Sequence, residues 1–216
     1  MSKITYSHGK SILVFGAHPD DYEIGMAGTI IKLSKMGYKI KLVIAILPNF
    51  TEFDKKEDRK IEAIKSSKIL ETEDPDFLDI SPTEMIHSRK LIGIVDRYIK
   101  DYRPEAVFTQ WIGDSHQEHQ ILTKSVISGC RDVTDLYMYE TTIPGGITEQ
   151  SFKPQLFVDI SEFIDLKVKA LQCYSSQEIR CGPFWIDAIT GRALYRGYQM
   201  NCKYAESFEV IRTSKW

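Results

Sequence analysis

Two rhythms of hydrophobic positions alternate along the chain. Ser11 to Ala17 is an unbroken β-prone run that stops at Pro19, and from Glu23 to Met36 the apolar residues Ile24, Ala27, Ile31 and Met36 recur at helical spacing. Gly37 stands where a helix C-cap belongs, and a second β-branched run, Lys39 to Leu47, follows it. This is a βαβ unit, with parallel strands and a right-handed crossover. Further along, the pattern predicts helices over Asp54 to Leu70, Glu84 to Asp101, Gln117 to Cys130 and Ser161 to Tyr174, the last capped by Ser161. Strands are expected at Phe77 to Ile80, Pro104 to Gln110, Asp135 to Glu140 and Leu156 to Ile160. Near-continuous apolar strands separated by helices imply an α/β fold, a Rossmann-like doubly wound and mostly parallel sheet with helices on both faces. Pro144 to Gly146 and Arg180 to Pro183 are the best loop signals. With 216 residues, no internal repeat and no linker, residues 1–216 read as one domain.

Composition narrows the function classes. Lys and Arg number 28 against 30 Asp and Glu, a net charge of −2 that leaves no electrostatic footprint for a nucleic-acid backbone. No apolar run approaches the roughly 20 residues that cross a bilayer, so no membrane span is expected. Met1 to Lys10 lacks the pattern of a signal peptide, and the expected location is cytoplasmic. The four cysteines form no C-x-x-C pair, which speaks against a disulfide framework and a thiolate zinc site. Gly16, Gly25 and Gly28 do not spell a dinucleotide fingerprint, and neither a phosphate-binding P-loop nor a serine-hydrolase elbow occurs. Homo-oligomerisation is left open.

The chemistry gathers at two strand ends. His18-Pro-Asp-Asp21 follows the first strand, and Pro19 starts a turn that brings His18 and Asp21 to one side, while Asp20 projects elsewhere. Asp114-Ser-His-Gln-Glu-His119 follows the strand ending at Gln110 and leads into a helix. His116 and His119 share a face there, so that one can ligate a metal and the other can reach a substrate. Both clusters lie where such a sheet presents its ligand crevice. His18, Asp21 and His119 make a two-His, one-carboxylate set with an open position, the composition of a catalytic zinc site, with Asp20 free to act as a base. The remaining histidines, His8 and His87, have no such company and read as structural. A two-His, one-carboxylate set also suits a non-haem iron oxygenase, which the α/β pattern disfavours. A sugar-binding protein without turnover is the other rival, and the intact Asp20 disfavours that.

In this order the residues resemble the LmbE-like (PIG-L) family of zinc-dependent N-deacetylases. The resemblance is carried by Ala17-His-Pro-Asp-Asp-Tyr-Glu-Ile-Gly-Met-Ala-Gly-Thr-Ile30, His116-Gln-Glu-His119, Arg59-Lys-Ile-Glu-Ala63, Phe77-Leu-Asp79, Phe157-Val-Asp-Ile-Ser161, Lys169 to Gln177 and Tyr204 to Phe208, nearly the whole chain. It implies removal of an acetyl group from an N-acetylated amino sugar or sugar conjugate. By motif, His18, Asp21 and His119 would hold Zn2+ or another divalent metal, Asp20 would be the general base, and His116, as imidazolium, would stabilise the oxyanion. Two departures stand out. Leu47-Pro-Asn-Phe-Thr-Glu52 replaces the family's Thr, Gly and acidic residue, and Gln117-Glu118 replaces its Pro-Asp. Arg59 begins a helix after a strand end, so its guanidinium is expected, with the loop Pro48 to Phe53, to read substrate hydroxyls or an attached anionic group. A modified or nucleotide-linked sugar is then a better substrate than plain N-acetylglucosamine.

Overall fold

The computed structural model of the chain describes residues 10–49, 55–141, 143–148 and 150–214. The readings of His8 and of loop residues 50–53 lie outside these residues. The elements run β1 (Ser11–Gly16), α1 (Asp21–Lys35), β2 (Lys39–Ile44), α2 (Lys56–Ile69), β3 (Asp76–Phe77), α3 (Arg89–Tyr102), β4 (Ala106–Gln110), α4 (Gln117–Gly129), β5 (Asp135–Tyr139), β6 (Leu156–Asp159), α5 (Ile164–Gln172), α6 (Ser175–Cys181), α7 (Trp185–Met200) and β7 (Ala205–Arg212). The strands join in the order β3-β2-β1-β4-β5-β7-β6. Strands β1 to β5 pair in parallel, whereas β7 runs antiparallel to both β5 and β6. The mostly parallel α/β sheet expected from the sequence is the one that forms.

Alternation along β1 divides the core into two layers. Ile12 and Val14 pack with Ile30 and Ile31 of α1, Leu171 of α5 and Ile189 of α7. Leu13 and Phe15 pack with Leu91 and Val95 of α3 and Leu122 and Val126 of α4. Each fully buried aliphatic or Phe side chain contributes roughly 1.5–3 kcal/mol, so an unbroken apolar run is most stable where both faces are covered. The chain leaves β1 for β2 on one side, and β4 lies on the other. The carboxyl ends of β1 and β4 therefore open a crevice at the switch point of the sheet.

Gly37 closes α1 as expected. It has φ +84°, its N–H donates to Ser34 O (2.9 Å), and that of Tyr38 donates to Leu33 O (3.1 Å), the paired bonds of a Schellman cap. Three expectations are corrected. Ser161 does not cap a helix: its hydroxyl donates to Asp159 Oδ1 (2.7 Å) and accepts from Tyr204 N (3.0 Å), tying the end of β6 to the start of β7, and α5 begins later. The helix read from Glu84 begins at Arg89, where the Ser88 hydroxyl accepts from Leu91 N–H (3.3 Å), and Ile86, read as part of its apolar face, is exposed. Arg180 and Cys181, read as loop, end α6, and Gly182 with φ +84° makes the turn. Helices α6 and α7 and strand β7 were not expected. No described helix is long and apolar enough to cross a membrane, and all four cysteines are free thiols.

Candidate active site

Strand β1 delivers Ala17 and His18 to the crevice, and the turn at Pro19 follows. Asp20 then takes φ +101°, a left-handed conformation that costs a non-glycine residue on the order of 1–3 kcal/mol and that folds retain mainly at functional positions. It stands at the N-cap of α1 without capping it. Its carboxylate instead accepts from Arg59 Nη2 (3.0 Å). Burial pushes the Asp20 carboxyl up to about 6, against the pull of Arg59 and with help from the Asp21 charge.

Asp21 points the other way. Its Oδ2 accepts the His18 backbone N–H (2.7 Å) and the Gln110 side-chain amide (2.7 Å), which turns Oδ1 toward His119 Nε2 (3.1 Å). His18 Nδ1 lies 3.2 Å from the same nitrogen and 3.8 Å from Asp21 Oδ2. Each of these rings is held from behind by a carboxylate: His18 Nε2 by Glu118 (2.5 Å) and His119 Nδ1 by Asp114 (3.0 Å). Asp114 is fixed in turn by Thr141 Oγ1 (2.7 Å) and the His116 backbone N–H (3.0 Å). Burial would raise the Asp21 carboxyl, but His119 overcomes it and holds the group well below the carboxylate range. Burial opposes a charge on His119, yet Asp21 and Asp114 push it up to about 10.

His116 is the N-cap of α4, and its Nδ1 accepts the Glu118 N–H (3.3 Å). The proton of the neutral ring then sits on Nε2, an assignment that follows from this bond pattern. Burial, with His18 and His119 nearby, lowers its pKa. That lowering works against the imidazolium expected at this position. Nitrogens of His18, His116 and His119 all lie within 4.8 Å of one another.

Arg59 is 2% exposed. Its Nη1 donates to Glu62 Oε2 (3.3 Å) and Ser176 Oγ (3.1 Å), its Nη2 to Pro19 O and Asp20, and the guanidinium stacks on Tyr174 (5.3 Å). Its four terminal hydrogens are thus engaged by the protein. The cavity over these groups encloses about 360 Å³. It is lined by His18, Asp20, Asp21, Arg59, His116 and His119, and by Gln177, Arg180, Cys181 and Trp185 of α6 and α7. Of the loop Pro48 to Phe53, Pro48 lines the cavity, and residues 50–53 are not described.

A model of the PIG-L family, described as GlcNAc-PI de-N-acetylase, matches residues 13–130, more than half of the chain. The chain belongs to this family. Its relatives include the uncharacterised deacetylase YaiS of Escherichia coli, 29% identical over 77% of this chain and 91% of that one. The diacetylchitobiose deacetylase of Thermococcus kodakarensis is 26% identical over 94% of this chain and 83% of that one. Among solved structures, the N,N'-diacetylchitobiose deacetylase of Pyrococcus horikoshii superposes with a TM-score of 0.81 at 22% identity, covering 94% of this chain and 84% of that one, and shows the same fold. This PIG-L family member is accordingly an N-deacetylase, a hydrolase of carbon–nitrogen amide bonds. Sequence reasoning brought His18, Asp20, Asp21, His116 and His119 to one place, and the structure puts all five around one cavity. It missed Gln110 and Thr141, whose positions at the carboxyl ends of β4 and β5 were the available signal, and the α6–α7 wall.

Proposed function

We propose that this deacetylase removes the acetyl group from an acetamido sugar or its conjugate, with Zn2+ or another divalent metal held by His18, Asp21 and His119. The observation that carries the metal site is the spacing of its donor atoms. Ligands about 2.0–2.1 Å from a tetrahedral ion lie about 3.3 Å from one another. His119 Nε2 stands 3.2 Å from His18 Nδ1 and 3.1 Å from Asp21 Oδ1, so two of the three donor pairs already lie near that separation. A three-His set, with His116 in place of Asp21, has its nitrogens within 4.8 Å of one another, and the carboxylate set holds the short His119–Asp21 pair. A carboxylate behind each ring would keep Nδ1 of His18 and Nε2 of His119 as the free lone pairs. When bound, the metal supplies Lewis-acid activation of water and of the amide carbonyl.

The remaining steps belong to the chain. Asp20, buried beside the donors, takes the proton of the attacking water and returns it to the leaving amine. His116 donates its Nε2–H to the oxygen that gains negative charge. Arg59, engaged on its four terminal hydrogens, anchors Asp20. The sugar is accommodated by the cavity that the histidines, α6 and α7 line. Two measurements test this. A mass-spectrometric screen of acetylated sugars should show loss of one acetyl group, and none from any member of the panel would refute the substrate class. Metal analysis should find one divalent ion in the parent and none in His119→Ala; unchanged metal content removes His119 from the site.

A further inference from the structure

Helix α1 is two helices in one. Met26, at φ −152° and ψ 23°, leaves the helical region in its middle. A helical turn would pair the Gly28 and Thr29 amides with the carbonyls four residues back. Here Gly28 N donates to Glu206 Oε1 (3.0 Å) and Thr29 N to Glu206 Oε2 (2.7 Å). On the other side of the kink, the Glu23 and Ile24 carbonyls accept from Lys167 Nζ at 3.0 and 2.9 Å, and Ile24 O also accepts from Arg192 (2.7 Å). Lys167 and Glu206 close the circle with each other (2.6 Å), and their side chains are 1% and 3% exposed.

The signs of these charges match the backbone ends they meet. An ammonium ion caps the carbonyl end of the first half of α1, and a carboxylate caps the amide end of the second. All three Lys167 hydrogens and both Glu206 oxygens have partners, which a buried pair needs if it is to offset its desolvation. The first half carries Asp21 and follows directly on Asp20. It is pressed against the sheet at Gly25, where a Cβ would lie 2.2 Å from the Tyr139 ring. The second half, on its own line, packs Gly28 against Ile160, where a Cβ would meet that side chain at 2.7 Å. Neither Lys167 nor Glu206 lines the substrate cavity.

We propose that Lys167 and Glu206 are positioning residues: their ion pair, spliced into α1 at Met26, aims the first turn so that Asp20 and Asp21 reach the metal-binding crevice. The functional half of this inference rests on the metal-site reading given above. The test compares Glu206→Gln and Lys167→Met with Val95→Ala, a core truncation on the other face of the sheet. Zn2+ affinity is read by competition with a chelating dye, and local opening by amide hydrogen exchange. Glu206→Gln and Lys167→Met should weaken Zn2+ by about tenfold or more, as loss of a supporting shell does. Exchange at residues 21–29 should quicken at least about tenfold while β1 and β4 keep the parent's protection. A loss of affinity no larger than that of Val95→Ala, or faster exchange spread evenly over the chain, overturns the proposal. If Lys167→Met does not fold, Glu206→Gln, which retains shape and one acceptor, decides alone; failure of both to fold also overturns it, since the pair would then hold the whole fold and not one turn. A parent that binds no Zn2+ counts against the metal site, and the exchange pattern still judges the pair.

Discussion

Replacing Arg59 by Met separates its two candidate roles. The substitution keeps an apolar stem on Tyr174 and removes the guanidinium that holds Asp20 Oδ2 at 3.0 Å and Glu62 Oε2 at 3.3 Å. Glu62 retains three donors, the Ser176 N–H (2.9 Å), the Ser176 hydroxyl (2.7 Å) and the Ser175 hydroxyl (3.2 Å), so most of the damage falls on Asp20. Removing one partner of a buried ion pair costs about 3–5 kcal/mol. At roughly 2–4 °C per kcal/mol for a chain of this size, Tm should fall by about 6–20 °C. A base displaced by about 1 Å loses on the order of 10²-fold in rate. The assay is kcat and KM on several acetylated sugars below the lowered Tm. We expect kcat to fall about 10²-fold on every substrate that turns over, with KM within a factor of about three. A rise in KM confined to one sugar, with kcat intact, would refute the reasoning and return Arg59 to substrate reading.

Asp20→Asn keeps an acceptor for Arg59 and suits the left-handed backbone; it should retain metal and stay within a few degrees of the parent Tm while losing 10²–10⁴-fold in kcat, and near-parental turnover would move the proton to another group. Asp114→Asn, which weakens the support of His119 Nδ1, should cost about 10–100-fold in metal affinity by chelator competition, and an unchanged affinity would make Asp114 a bystander. Gly25→Ala and Gly93→Ala make the same chemical change with opposite expected sign: a Cβ at Gly25 meets Tyr139, which is fully buried with its hydroxyl on Phe15 O, whereas nothing lies within 4 Å at Gly93. Calorimetry should show about 1–3 kcal/mol lost in the first and about 0.5–1 kcal/mol gained in the second, and a loss at both would mean that helix propensity does not govern Gly93.

The elements that the sequence disclosed are those whose buried face is apolar. Strands β1, β2 and β4, covered on both sides, read as near-continuous apolar runs, and their helices showed apolar residues at helical spacing. Helix α7 does bury Trp185, Ile189, Ala193 and Gly197, one residue in four. Its solvent side also carries Leu194, Tyr195, Tyr198 and Met200, so hydropathy does not separate the faces and no amphipathic signal stands out. Strand β7 was hidden for the opposite reason. Glu206 and Ser207 are buried polar residues near its start, occupied with the α1 amides and with Glu140, where a strand pattern calls for apolar ones.

The site divides along a similar line. Ligand candidates were legible because their geometry is local: a strand end followed by a proline turn puts His18 and Asp21 on one side, and the first turn of a helix carries His116 and His119. Much of what holds them is not local. Asp21 owes its orientation to Gln110, 89 residues away, and His18 owes its tautomer to Glu118, 100 residues away. The Arg59 role shows how far spacing reaches. Its position at the start of a helix after a strand end puts the guanidinium at the crevice, where it does lie. Whether its donors are free to meet a substrate depends on Pro19, Asp20, Glu62 and Ser176, and the last of these comes from α6, which the sequence pattern did not disclose. A functional residue can therefore be located from local pattern, while its role is decided by partners that only the tertiary fold brings to it.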